Sequence, residues 1–214
     1  MSSLTDVVRS HDLTLLDTCA ICGHIDERTD DRVTKIMDYQ RSMKLITRIS
    51  DLVESGAPLY TSEGVIDEIT NYRVNSGEIS LSYVVGDSLT RKKILAAREY
   101  GVALKRLKLK FIDFNRVLSL KDRDESYLPR LSKAIREKYR GNMSDVDANL
   151  LYLATLNAIE GSSVALLTRD KSIQRAWILL TSYFCELAVD NKLDFYWADT
   201  TESFLITKER FKKS

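Results

Sequence analysis

Two prolines and eight glycines are few for 214 residues. That scarcity excludes collagen-like repeats and low-complexity architectures. Three cysteines and two histidines cannot build a disulfide framework, so the thiols predict a reducing compartment. No apolar run approaches the roughly 20 residues of a membrane span. The polar segment from Met1 to Asp12 also lacks the apolar stretch of a signal peptide. The expectation is a soluble, cytoplasmic protein that does not engage a membrane. Neither charge sign dominates, since 32 Lys and Arg against 31 Asp and Glu leave a net charge of +1. A bulk polycation is thereby excluded, and any nucleic-acid binding has to come from local patches.

What is present is a chain able to bury a core, with 44% hydrophobic and 29% charged residues. Its length suits a single domain over residues 1–214. Short apolar runs alternate with helical periodicity. Leu13–Leu16 and Pro58–Thr61 read as strands, as do Ser163–Leu167 and Leu193–Trp197. Helices are expected over Val33–Glu54, from a Ser62 cap to Tyr72, from Ser144 to about Ile159, and over Lys171–Leu180. This alternation predicts an α/β fold with a central parallel sheet. Residues 73–143 are mostly helical with little strand character, and read as an insertion or cap on that sheet.

In such sheets ligands sit outside the carboxyl ends of the strands. Two predicted strands end at an acid, in Leu16-Asp17 and in Thr168-Arg169-Asp170. Taken alone, Asp17 suits the cap of a turn and Asp170 the cap of the helix that begins at Lys171. Asp147 is more telling. On a helical wheel it falls on the apolar stripe of Leu150, Leu151, Ala154 and Ala158, with Asp145 nearly opposite. A carboxylate on a buried stripe is costly without a compensating cation or hydrogen bonds. Ser144 and Asp147 also match a capping-box spacing. Glu68 lies at the edge of the face formed by Val65, Ile66, Ile69 and Tyr72, while Glu63 and Asp67 point away. Four acids converging from separate elements would repel or protonate without a cation. Hard oxygen ligands select Mg²⁺ or Mn²⁺, and such a site suits metal-assisted attack of water on a phosphodiester.

Cys19-Ala-Ile-Cys22 supplies half of a zinc site, with Cys185 as the remaining thiol. As a redox pair it lacks a flanking proline. A pair of small buried side chains beside the first strand is the favoured reading.

These residues, in this order, resemble the PIN-domain ribonucleases. The resemblance rests on Leu15-Leu16-Asp17-Thr18, Val65-Ile66-Asp67-Glu68-Ile69, Asp147-Ala-Asn-Leu-Leu-Tyr-Leu-Ala154 and Leu166-Leu167-Thr168-Arg169-Asp170. It covers roughly residues 12–72 and 144–198, but not the middle block. It implies a three-layer α/β/α PIN-like fold and endonucleolytic cleavage of RNA at an Mg²⁺ or Mn²⁺ site held by Asp17, Glu68, Asp147 and Asp170. Thr168 would support that site, and Asp145 stands in for Asp147 if the helix phase differs. The family's compact toxin members lack a middle block of this size, which favours a processing or housekeeping nuclease, or a larger relative of unknown substrate. The alternative is a catalytically silent RNA-binding or scaffold module on the same fold.

An acidic site repels nucleic acid unless neighbouring cations bind the phosphates. Arg91–Lys93, the run Lys105, Arg106, Lys108 and Lys110, Arg130–Arg140 and Lys208–Lys213 are the basic segments. Glu99, Asp113 and Glu137 intersperse them, and a solvated helix face explains such runs equally. The insertion is also a candidate surface for a second copy or a protein partner.

Overall fold

The computed structural model describes residues 2–23, 25, 31–77, 87–120, 129, 131–134, 143–199 and 205–209. The side chains of 2, 72–77, 199 and 205–209, including the expected core contact of Tyr72, lie outside the described residues. So do the charged loop at 121–125, most of the basic segment at 130–140, and the tail beyond 209.

The elements run β1 (Ser2–Ser3), α1 (Leu4–Arg9), β2 (Leu13–Leu16), α2 (Thr18–Cys22), α3 (Arg32–Glu54), β3 (Leu59–Ser62), α4 (Glu63–Gly77), α5 (Ser88–Asp113), β4 (Val117–Leu118), α6 (Asp145–Ile159), β5 (Val164–Thr168), α7 (Lys171–Glu186), β6 (Leu193–Asp199) and β7 (Leu205–Glu209). The strands form one sheet in the order β1-β7-β6-β5-β2-β3-β4. The five from β6 to β4 are parallel, and β7 and β1 extend the sheet antiparallel beyond β6. Helices flank it, so the α/β class and its three layers are as expected.

Every residue of β2 and β5 is buried. That follows from largely apolar runs in a sheet covered on both faces, with Thr14 and Thr168 buried among them. Leu15, Leu166 and Phe195 stand side by side across the core, backed by Trp177 and Phe184 of α7. From β2 the chain steps outward to β3 and β4; it then returns to β5 on the other side of β2 and continues to β6. Right-handed crossovers in these opposite directions place their helices on opposite faces. The strand order therefore reverses between β2 and β5, and their carboxyl ends open the crevice where open sheets bind ligands. The register Leu16↔Leu167 sets Asp17 beside the end of β5, and the Asp17 amide donates to the Leu167 carbonyl at 3.1 Å.

Several elements differ from expectation. The polar N-terminus forms β1 and α1, started by a Ser3–Asp6 capping box that buries Leu4, Val7 and Val8. The middle block contributes β4, paired with Thr61 and Ser62 of β3; two residues are too few to show periodicity. Its long helix α5 lies parallel to α3. Arg32 pairs with Asp87 at one end (2.7 Å) and Lys110 with Glu54 at the other (2.5 Å). Helix α7 runs past Leu180 to Glu186 because Phe184 still faces the core. Helix α6 is buried on nearly every side, and its Thr155 and Asn157 donate to carbonyls one turn back. No helix among the described residues is long and apolar enough to cross a membrane.

Candidate active site

Asp17 ends β2 in an extended conformation and caps the short helix α2. Its Oδ1 accepts from the Thr18 amide at 2.6 Å. Its Oδ2 accepts from the Thr168 hydroxyl at 2.6 Å and the Cys19 thiol at 2.7 Å. Asp17 is only 3% exposed. Burial pushes its carboxyl above the ordinary range. Hydrogen bonds from Cys19, Thr168 and Thr18 oppose that rise, and the charge of Asp170 adds to it.

Asp170 caps α7 through the Ser172 amide. Its own amide donates to the Thr168 hydroxyl oxygen at 2.8 Å. Thr168, fully buried, thus couples the two strand-end acids. Asp147 enters from the first turn of α6, where its amide donates to the Ser144 hydroxyl at 3.1 Å. Burial raises its carboxyl to about 6, helped by the charges of Asp17 and Asp170 and opposed by Ser144. Glu68 enters from α4 and accepts the Thr18 hydroxyl. Helices α4 and α6 approach closely because residue 64 is Gly: a Cβ there would meet a Val146 methyl at 2.9 Å. Gly23, which ends α2 at φ +71°, has the same constraint, since a Cβ would lie 2.5 Å from the Ser42 hydroxyl.

All four acids line one open cavity of about 790 Å³, with Thr18, Cys19, Cys22, Gly23, Ile25, Asn71 and Ser144 completing its wall. Capping and site readings of Asp17, Asp170 and Asp147 are thus compatible. Asp145 is exposed and does not line the cavity. The wheel's choice of Asp147 over Asp145 therefore matches the geometry. The basic run does not reach the cavity wall. Lys108 donates to the Thr70 hydroxyl at 2.7 Å and Lys110 pairs with Glu54, while Lys105 and Arg106 are exposed.

Sequence reasoning missed Cys19. Cys22 is buried as expected, but Cys19 is half-buried and its thiol contacts Asp17. Burial raises the thiol well above its usual range, reinforced by the Asp17 charge. The available signal was its position two residues after a capping Asp, within one helical turn of that carboxylate. Asn71, one turn beyond Glu68 on α4, also carried a positional signal.

Among the described residues, no group of three or more His, Cys, Asp or Glu is already arranged to hold a metal ion. The donor chemistry nevertheless fits a hard cation. Four carboxylates share one cavity, and two of them are pushed toward protonation by burial and mutual charge, a penalty that a cation relieves. Glu68 and Asp147, both half-buried, have room to adjust toward it. No protein-family model, no curated protein and no solved structure matches this chain.

Proposed function

We propose that this chain is an Mg²⁺- or Mn²⁺-dependent endoribonuclease on a PIN-like fold. The observation that carries the reading is the gathering of Asp17, Glu68, Asp147 and Asp170 from four elements onto one cavity at the strand-order reversal. These four carboxylates would hold the cation, which when bound supplies Lewis acidity toward a phosphate and makes water a better nucleophile. Asp17 and Asp170 present oxygens fixed by backbone and hydroxyl donors. Glu68 and Asp147 close the set from the helices. One of these carboxylates would take the proton from the attacking water. RNA as substrate rests on the resemblance and on the exposed cations of α5. A cytoplasmic location follows the thiol content, and the face of α5 remains the candidate surface for a second copy or a partner protein.

Cleavage of a mixed single-stranded RNA, with Mn²⁺ and with chelator, tests this. Wild type should cut only with the metal. Asp17→Asn and Asp170→Asn should each lose at least about 100-fold, the scale of removing one electrostatic contributor at an active site. Asp145→Asn should stay close to wild type. Metal-dependent cutting that survives Asp17→Asn and Asp170→Asn would sink the proposal. RNA binding without cutting, unchanged by either substitution, would favour the silent RNA-binding module instead.

A further inference from the structure

The hydrogens around Asp17 can be placed from the distances between donors and acceptors. The Arg169 amide donates to the Cys19 sulfur at 3.0 Å. The Asp170 amide donates to the Thr168 hydroxyl oxygen at 2.8 Å. The Thr168 hydrogen is committed to Asp17 Oδ2 at 2.6 Å, so in its 3.4 Å contact with Thr168 the Cys19 thiol can only donate, over a longer distance than to Asp17 Oδ2. With its sulfur taken up as an acceptor, Cys19 directs its own hydrogen at Asp17 Oδ2, 2.7 Å away. A carboxylate oxygen offers two lone pairs. Oδ2 is therefore filled by Thr168 and Cys19, and Oδ1 keeps one lone pair after accepting from Thr18.

We infer that Cys19 is a positioning residue: by filling Oδ2, its thiol leaves Asp17 a single oxygen, Oδ1, through which to bind a cation. The inference rests on the metal-dependent reading above and names a property of that same site. A one-oxygen carboxylate suits the small octahedral ions Mg²⁺ and Mn²⁺. Ca²⁺, larger and richer in ligands, gains from carboxylates that offer both oxygens. Removing the thiol hydrogen frees a lone pair on Oδ2, so Asp17 loses orientation toward small ions and gains a two-oxygen mode open to Ca²⁺. Cys19 contributes through Asp17, as outer-shell partners of metal ligands do. It sits on α2 at the cavity wall.

The test is equilibrium Mn²⁺ binding to the full chain, read by electron paramagnetic resonance of free Mn²⁺, with Ca²⁺ as competitor and no RNA present. Wild type should bind Mn²⁺ and resist Ca²⁺. Cys19→Ala should bind Mn²⁺ about tenfold more weakly, and the ratio of Ca²⁺ to Mn²⁺ affinity should rise. Cys19→Ser, whose hydroxyl still donates, should restore wild-type values; a purely volumetric role for the thiol would not be rescued this way. Where Cys19→Ala lowers the metal-free Tm, Cys19→Val supplies the same bulk without a donor. An unchanged affinity ratio in a folded Cys19→Ala or Cys19→Val overturns the inference and leaves the nuclease reading standing. Absence of Mn²⁺ binding by wild type overturns both.

Discussion

The Tyr100 hydroxyl donates to the Cys22 carbonyl at 2.8 Å, across 78 residues of sequence. Both residues are buried, and Cys22 forms part of the cavity wall. The bond engages a carbonyl of the last turn of α2. It also ties the long middle helix to the site. Tyr39 of α3 packs against the same ring, with centroids 5.4 Å apart. Tyr100→Phe should cost about 0.5–1.5 kcal/mol, because it removes a buried hydrogen bond while keeping the ring. Urea denaturation with an unchanged m-value would measure it. A loss below about 0.3 kcal/mol would mean that water or a backbone shift replaces the bond.

The site carboxylates give stability a pH dependence of definite sign. Asp147 has a carboxyl raised from 3.8 to about 6 in the folded protein. Between those values the folded chain keeps a proton that the unfolded chain has released. Stability therefore falls as pH rises through this window and is level above about 6. Asp147→Asn removes the penalty. With its partial exposure screening the effect, the variant should be about 1 kcal/mol more stable than wild type at pH 7.5 in chelator. The difference should vanish near pH 4. Denaturation curves at the two pH values decide it, and a variant less stable than wild type at pH 7.5 contradicts the electrostatic account. Gaining stability while losing the proposed activity is the expected behaviour of a functional carboxylate.

The parts that were legible in the sequence are those where burial leaves a local trace. Apart from Thr14 and Thr168, the runs 13–16 and 164–168 are apolar because neighbours cover both faces of β2 and β5. Asp147 stood out because a helix has a period, and a charge on the wrong phase is visible in a 15-residue segment. Other elements left fainter traces. The two-residue β4 has no period to read. Strand β7, at the antiparallel end of the sheet, carries the polar sequence Leu-Ile-Thr-Lys-Glu, which reads as a tail. The six residues of α1 are too few for an amphipathic signal. The contact of Cys19 with the turn after β5 joins positions 150 apart. It exists because β2 and β5 pair in the register Leu16↔Leu167, a relation that no local pattern encodes.

The four cations of the basic run are not equivalent. Lys108 is spent on Thr70 and Lys110 on Glu54, whereas Lys105 and Arg106 face solvent on α5. Reversing Lys105 and Arg106 to Glu together should weaken RNA binding and flatten the plot of log affinity against log salt by about 1.4, the counterions released by two phosphate contacts on a single strand. Lys110→Ala should leave that slope unchanged and cost at most about 1 kcal/mol of stability, as an exposed ion pair does. Fluorescence anisotropy with a labelled single-stranded RNA over a salt series reads the slopes. Equal slopes for wild type and the double reversal would remove this face from RNA binding.

Thr168 carries the last and most constrained hydroxyl of the site. Its hydrogen goes to Asp17 Oδ2 and its oxygen accepts the Asp170 amide, so one side chain holds both strand-end acids. Thr168→Val keeps the shape and removes both bonds. It should cost about 1–3 kcal/mol, because a carboxylate and an amide each lose a partner. Thr168 and Cys19 share the same acceptor oxygen, so their effects should not add. Once either donor is gone the Asp17 side chain is free to turn toward the other, and the second deletion then removes a bond that has been strengthened. A double-mutant cycle of Thr168→Val with Cys19→Ala should show a coupling of about 0.5 kcal/mol or more in denaturation free energy. A coupling near zero would mean that the two donors hold Asp17 independently. Asp17 would then be fixed chiefly by its backbone and by the Thr18 amide, and not by the side chains that crowd its second oxygen.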